Sequence, residues 1–98
     1  MIPHVDKYGF TTIDEIQGYV YDVFEVVNQC IKNKLFKECV LQINPKTYEF
    51  SVCKSNEAVA GNDVYPLTQF TDIYSVTGET VTSFGKVHEV ATSYFTFL

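Results

Sequence analysis

Arginine and tryptophan are missing from the chain, and methionine, cysteine, proline and glycine are scarce. Without arginine, every basic side chain is a lysine, and seven of them stand against twelve acids for a net charge of -5. A nucleic-acid backbone selects basic side chains in number, and phosphate is best gripped by the arginine fork. Nucleic acid is therefore not an expected partner. The one basic cluster, Lys32, Lys34 and Lys37, falls where a helix is expected to end, and cations there complement the negative end of the helix dipole.

Cys30, Cys39 and Cys53 are odd in number and lack C-x-x-C spacing. That excludes a disulfide framework and a zinc knuckle by pattern, and reduced thiols within apolar stretches are the plain expectation. No apolar run approaches roughly 18 residues, the length needed to span a bilayer. The start, Met1-Ile2-Pro3-His4-Val5-Asp6, lacks the basic and apolar regions of a secretion signal. A cytoplasmic protein with no membrane partner is the expectation. The motifs of catalysis are missing too. The histidines are His4 and His88, and His88-Glu89-Val90-Ala91-Thr92 lacks the second histidine of H-E-x-x-H. There is no nucleophile elbow, phosphate loop, dinucleotide fingerprint or calcium loop. No catalytic residue, cofactor or metal ligand is expected, and the protein is read as a non-enzyme.

What is present is a well-mixed apolar pattern. Hydrophobic residues make up 46% of 98 residues, with no linker, repeat or low-complexity tract. One domain spanning 1–98 is expected, large enough to bury about 65% of its unfolded surface. Residues 1–11, broken by Pro3 and Gly9, read as an irregular lead-in. Thr12 and Glu15 then match a capping box. Ile13, Ile16, Val20, Val23, Phe24, Val27, Cys30, Ile31 and Leu35 follow at helical spacing, and Tyr19, Tyr21 and Val26 widen the stripe.

Two alternating segments, Glu38–Ile43 and Tyr48–Cys53, flank Asn44-Pro45-Lys46-Thr47, a sequence suited to a type I turn. This pairing sets Ile43 opposite Tyr48 and Leu41 opposite Phe50. It makes one face of Cys39, Leu41, Ile43, Tyr48, Phe50 and Val52, and a wetter face of Val40, Gln42, Glu49, Ser51 and Cys53. Residues 55–63 read as a loop. Residues 64–70 read as extended, with Pro66 marking an edge strand. Residues 71–82 fit either a strand turning at Thr77-Gly78 or a surface loop. Thr82 or Ser83 can cap a final helix carrying Phe84, Val87, Val90, Ala91, Tyr94 and Phe95, although a strand over Glu89–Leu98 competes. The expected class is α+β: an N-terminal amphipathic helix on a three- or four-stranded antiparallel sheet, with a C-terminal helix and a C-terminal strand as the alternative.

Fifteen aromatic residues, seven Tyr and eight Phe, are the one compositional excess. About half fall on expected inward faces. Tyr21, Tyr65, Tyr74, Tyr94, Phe95, Phe97 and Leu98 are harder to bury in so small a domain, and aromatics are the usual anchors of protein interfaces. They form the candidate interface. The expected function is a small protein-interaction or accessory role, with a protein partner or a second copy of the chain in a homodimer. The alternative is a small-ligand or enzymatic site in a tyrosine-lined pocket between helix and sheet, with His88 nearby.

Overall fold

Spacings of three and four along residues 13–32 place one apolar stripe on a helix, and that stripe is the spine of the fold. The structure, a computed structural model, describes residues 13–33, 36–73 and 80–95. Helix α1 (Ile13–Lys32) buries Ile16, Tyr19, Val20, Val23, Val27 and Ile31, and turns Asp14, Gln17, Tyr21, Asp22 and Glu25 to solvent. Each large side chain buried in this way contributes about 1.5–3 kcal/mol. The helix runs out at Lys32, with the Asn33 N–H bonded to the Gln29 carbonyl at 3.1 Å. Thr12 and Leu35, expected at its two ends, lie outside the described residues.

Strands β1 (Cys39–Ile43), β2 (Phe50–Lys54) and β3 (Asp63–Pro66) form an antiparallel sheet in the order β2-β1-β3. The hairpin forms, but its register differs by two residues from the expected one: Ile43 pairs with Phe50 and Leu41 with Val52. The reason is the connection. Asn44 does more than start a four-residue turn, because its Oδ1 accepts from the Lys46 and Thr47 N–H groups at 2.8 and 3.3 Å. Its carbonyl accepts from the Tyr48 N–H at 2.7 Å, and its own N–H donates to the Glu49 carbonyl at 2.8 Å. The chain closes over Asn44–Glu49, with Tyr48 in the left-handed region at φ 63°. That conformation is costly for a residue with a bulky side chain. Here the Tyr48 ring is buried and its carbonyl accepts a buried 2.8 Å bond from the Tyr19 hydroxyl.

A shift of two residues leaves the facing of every side chain unchanged. Leu41 and Ile43 are fully buried against α1, with Cys39, Phe50 and Val52 half-buried beside them. The expected wetter face is drier than its pattern implies. Val40 and Gln42 are buried, while Glu49 and Ser51 stay exposed. The loop before β3 accounts for this. Gln42 Oε1 accepts from the Val59 N–H at 2.9 Å and the Asn62 side-chain amide at 3.1 Å, and Gln42 Nε2 donates to Ser51 Oγ at 3.0 Å. Gly61, at φ 93°, lets the chain turn there, closed by the Asn62 N–H on the Val59 carbonyl at 3.2 Å.

Pro66 ends β3, which among the described residues pairs only with β1, so it lies on an edge there, as its missing N–H requires. The extended reading does not continue past it. Leu67–Phe70 is a turn of 3₁₀ helix. At three residues per turn, Leu67 and Phe70 point the same way, and both are fully buried. Strands β4 (Thr71–Ile73) and β5 (Thr80–Thr82) pair as a separate hairpin, with residues 74–79 outside the described set. A 3.0 Å bond from the Thr82 hydroxyl to Asn28 Oδ1 ties β5 to α1.

Ser83 caps helix α2 (Phe84–Thr92), its hydroxyl accepting from the Lys86 N–H at 3.4 Å. The competing terminal strand does not form over these residues. Val87, Val90 and Ala91 are buried against α1, and three successive i→i−3 bonds, from the Ser93, Tyr94 and Phe95 N–H groups, carry the chain to Phe95. The fold is α+β: an N-terminal helix, a three-stranded antiparallel sheet and a C-terminal helix, with the β4–β5 hairpin beside α1.

Candidate functional site

The described aromatic side chains divide into two groups, one inside and one outside. Tyr19 reaches inward from α1 and meets Phe50 and Phe95 edge-on, each with ring centroids 5.4 Å apart. Phe95 also meets Tyr48 at 4.9 Å, and Tyr48 meets Tyr94 at 5.9 Å. Such pairs add about 0.5–1.5 kcal/mol each beyond the area they bury. Phe95 is only 8% exposed, so its side chain is used by its own core.

Tyr65 and Tyr94 are half-buried and bound to each other. Tyr94 Oη donates to Asp63 Oδ2 at 2.9 Å, so the 2.8 Å contact between the two phenols is a bond from Tyr65 to Tyr94. Burial pushes the Tyr94 phenol well above the ordinary tyrosine range, and its bonds to Tyr65 and Asp63 add to the shift. The relay fastens the segment after α2 to strand β3. Of the residues singled out from the sequence, Tyr74, Phe97 and Leu98 lie outside the described residues.

Tyr21 belongs to the second group. It sits two residues from Tyr19, on the opposite side of α1's boundary, and is 56% exposed. Its ring lies 6.2 Å from Phe24, Phe24 lies 4.8 Å edge-on from Phe84, and Phe84 lies 6.3 Å from the His88 imidazole. This row crosses from α1 to α2. Phe84 is 45% exposed although it opens the helix, because the buried stripe of α2 begins one turn later at Val87. Gln17, Val20, Tyr21, Phe84 and His88 line a half-open groove of about 370 Å³ between the two helices. The Tyr21 hydroxyl has no hydrogen-bond partner among the described residues.

The position of this groove departs from the sequence reading. The alternative reading places a pocket between helix and sheet; among the described residues Val23, Val27, Leu41 and Ile43 pack there in one core, and this groove lies between the two helices. The sequence pattern points to Tyr21 and His88 and sets Phe84 on the apolar stripe of the last helix. The i, i+4 spacing of Phe84 and His88 is the signal that places those two rings side by side.

The thiols offer little chemistry. All three cysteines are unpaired and half-buried. Burial, then the neighbouring Cys39, raises the Cys30 thiol, and burial, then Glu57, then Cys39, raises that of Cys53. Raised thiols are poor nucleophiles at neutral pH. Among the described residues no group of three or more His, Cys, Asp or Glu side chains could hold a metal ion, and no helix is long and apolar enough to cross a membrane.

What the α1–α2 face can offer is non-covalent: ring faces and edges, one imidazole and one amide. Comparison with known proteins finds no matching family model, no similar curated protein and no similar solved structure.

Proposed function

We propose that the chain is a small non-enzymatic interaction module that meets protein through the Tyr21–Phe24–Phe84–His88 row. The observation that carries this reading is the exposure of Tyr21 and Phe84 in one continuous aromatic row spanning two helices. Isolated exposed apolar residues are ordinary, but contiguous aromatic surface is characteristic of interfaces. The partner is another protein or a second copy of the chain. Its three unpaired thiols support residence in a reducing compartment such as the cytoplasm.

Selection of displayed peptides on the full chain tests the reading. Enriched peptides should bind the native chain and lose binding to Tyr21→Ser and Phe84→Ser. Sedimentation at micromolar concentration adds the homodimer arm, where self-association should weaken in the same variants. A monomer that enriches no peptide dependent on Tyr21 or Phe84 would sink the reading.

The groove volume favours one alternative, a small apolar ligand oriented by His88 and Gln17. About 300–1,000 Å³ is the usual range of ligand sites. Binding of small aromatic probes that is lost in His88→Ala and Gln17→Ala, with no peptide enrichment, would favour it.

A further inference from the structure

The charges around the groove narrow its occupant. Asp14 and Glu25 stand exposed on the same side of α1 as Tyr21, with no ion pair among the described residues. Glu25 follows Tyr21 by one turn of helix, so its carboxylate borders the ring. On α2 the cation Lys86 is already engaged with Glu89 at 3.6 Å. The groove is thus lined by apolar, aromatic and neutral polar side chains, and among the described residues the charges beside Tyr21 on α1 are the carboxylates of Asp14 and Glu25.

We infer that the groove takes a basic amphipathic peptide segment, one that sets a leucine-like side chain between Tyr21 and Phe84 and lysines or arginines beside Asp14 and Glu25. This rests on the interaction-module reading and gives it a partner chemistry. Three physical terms act together. The aromatic rings attract apolar groups and hold cations over their faces. The carboxylates raise the encounter rate with a basic partner and hold its register. A second copy placed symmetrically on this face sets the same two carboxylates against their own copies, and like charges across an interface are unfavourable. The acidic character that makes nucleic acid a poor partner makes a cationic peptide a good one.

Fluorescence anisotropy with the full chain tests this. The probes are two labelled peptides with leucine at helical spacing, one filled with lysine and the other with glutamate. The lysine peptide should bind at least about tenfold more tightly, because its charges are opposite to those of Asp14 and Glu25. Raising salt from about 50 to about 300 mM should weaken it, as the screening length falls. Asp14→Lys with Glu25→Lys should cut its affinity about fivefold or more, and Tyr21→Ser about tenfold or more. Each variant's unfolding curve is recorded first, so that a misfolded chain is recognised; Glu25→Gln and Tyr21→Phe serve as the conservative counterparts.

Equal binding of the two peptides through Tyr21 and Phe84 overturns the charge inference and leaves the interaction reading standing. Binding of neither peptide overturns the inference, while the peptide selection decides the broader reading. Binding that ignores both Tyr21→Ser and the charge reversals overturns the assignment of this groove.

Discussion

Tyr19 and Tyr21 are two residues apart on one helix, yet they belong to different surfaces. Tyr19 is buried, packed edge-on against Phe50 and Phe95, and its hydroxyl satisfies the carbonyl of left-handed Tyr48. Tyr21 is exposed, touches Phe24, and has no hydrogen-bond partner among the described residues. Inside, the rings interlock edge to face, and the phenols of Tyr19, Tyr65 and Tyr94 each have a hydrogen-bond partner. Outside, the rings form a row whose edges remain open. The same residue type therefore serves stability at one position and surface recognition at another, and only the fold separates them.

The sharpest way to break this contrast is from within. Phe95→Ala should cost about 3–5 kcal/mol, as large aromatic truncations in cores do, and should be read from urea unfolding midpoints. Loss of less than about 1 kcal/mol would show that Phe95 is not a core residue. Tyr19→Phe keeps the ring but leaves the buried Tyr48 carbonyl without its 2.8 Å donor. A loss of about 1–3 kcal/mol is expected.

Tyr94→Phe removes the hydroxyl that links Tyr65 to Asp63, and about 0.5–1.5 kcal/mol should go with it. This variant also carries a pH signature. The folded phenol is held above its ordinary value of about 10, so the proton leaves the unfolded chain first. Its stabilising effect is complete below about pH 10 and declines as the pH rises toward the folded value. The native chain should lose stability above pH 10 more steeply than Tyr94→Phe, measured by denaturant unfolding at a series of pH values. Identical slopes would show that the relay does not hold the proton.

The smallest effects belong outside. Tyr21→Ser should change stability by no more than about 0.5 kcal/mol, and Phe84→Ser by less than about 1 kcal/mol, in the same unfolding assay. If either destabilises as much as Phe95→Ala, the outer row is part of the core and the contrast fails.

Much of this architecture is legible in the sequence because it depends on periodicity. The 3.6-residue stripe marks α1, and period-two alternation marks the β1–β2 hairpin and its inward face. The two-residue register difference was invisible for a related reason. It preserves alternation, and it depends on Asn44 bonding three successive groups and on Tyr48 accepting a left-handed conformation. Likewise, no local pattern shows that residues 58–62 cover Gln42, since those contacts span about twenty positions. At the site, Tyr21 was legible as an aromatic too many for the helix face. Phe84 was not, because its spacing to Val87 and Ala91 is that of a core residue and only the start of the buried stripe at Val87 leaves it outside.

The groove has walls from α1 and α2, elements that enclose the entire sheet between them in the chain. It exists only once Phe84 and His88 have been brought back against Gln17 and Tyr21. An occupant therefore has no counterpart in the unfolded chain and acts as a clamp across the fold. Its occupancy adds RT ln(1 + [L]/Kd) to stability, about 2.7 kcal/mol at a hundredfold excess over Kd. The melting temperature would then report on the partner's concentration, and degradation of the unoccupied chain would follow the partner's scarcity.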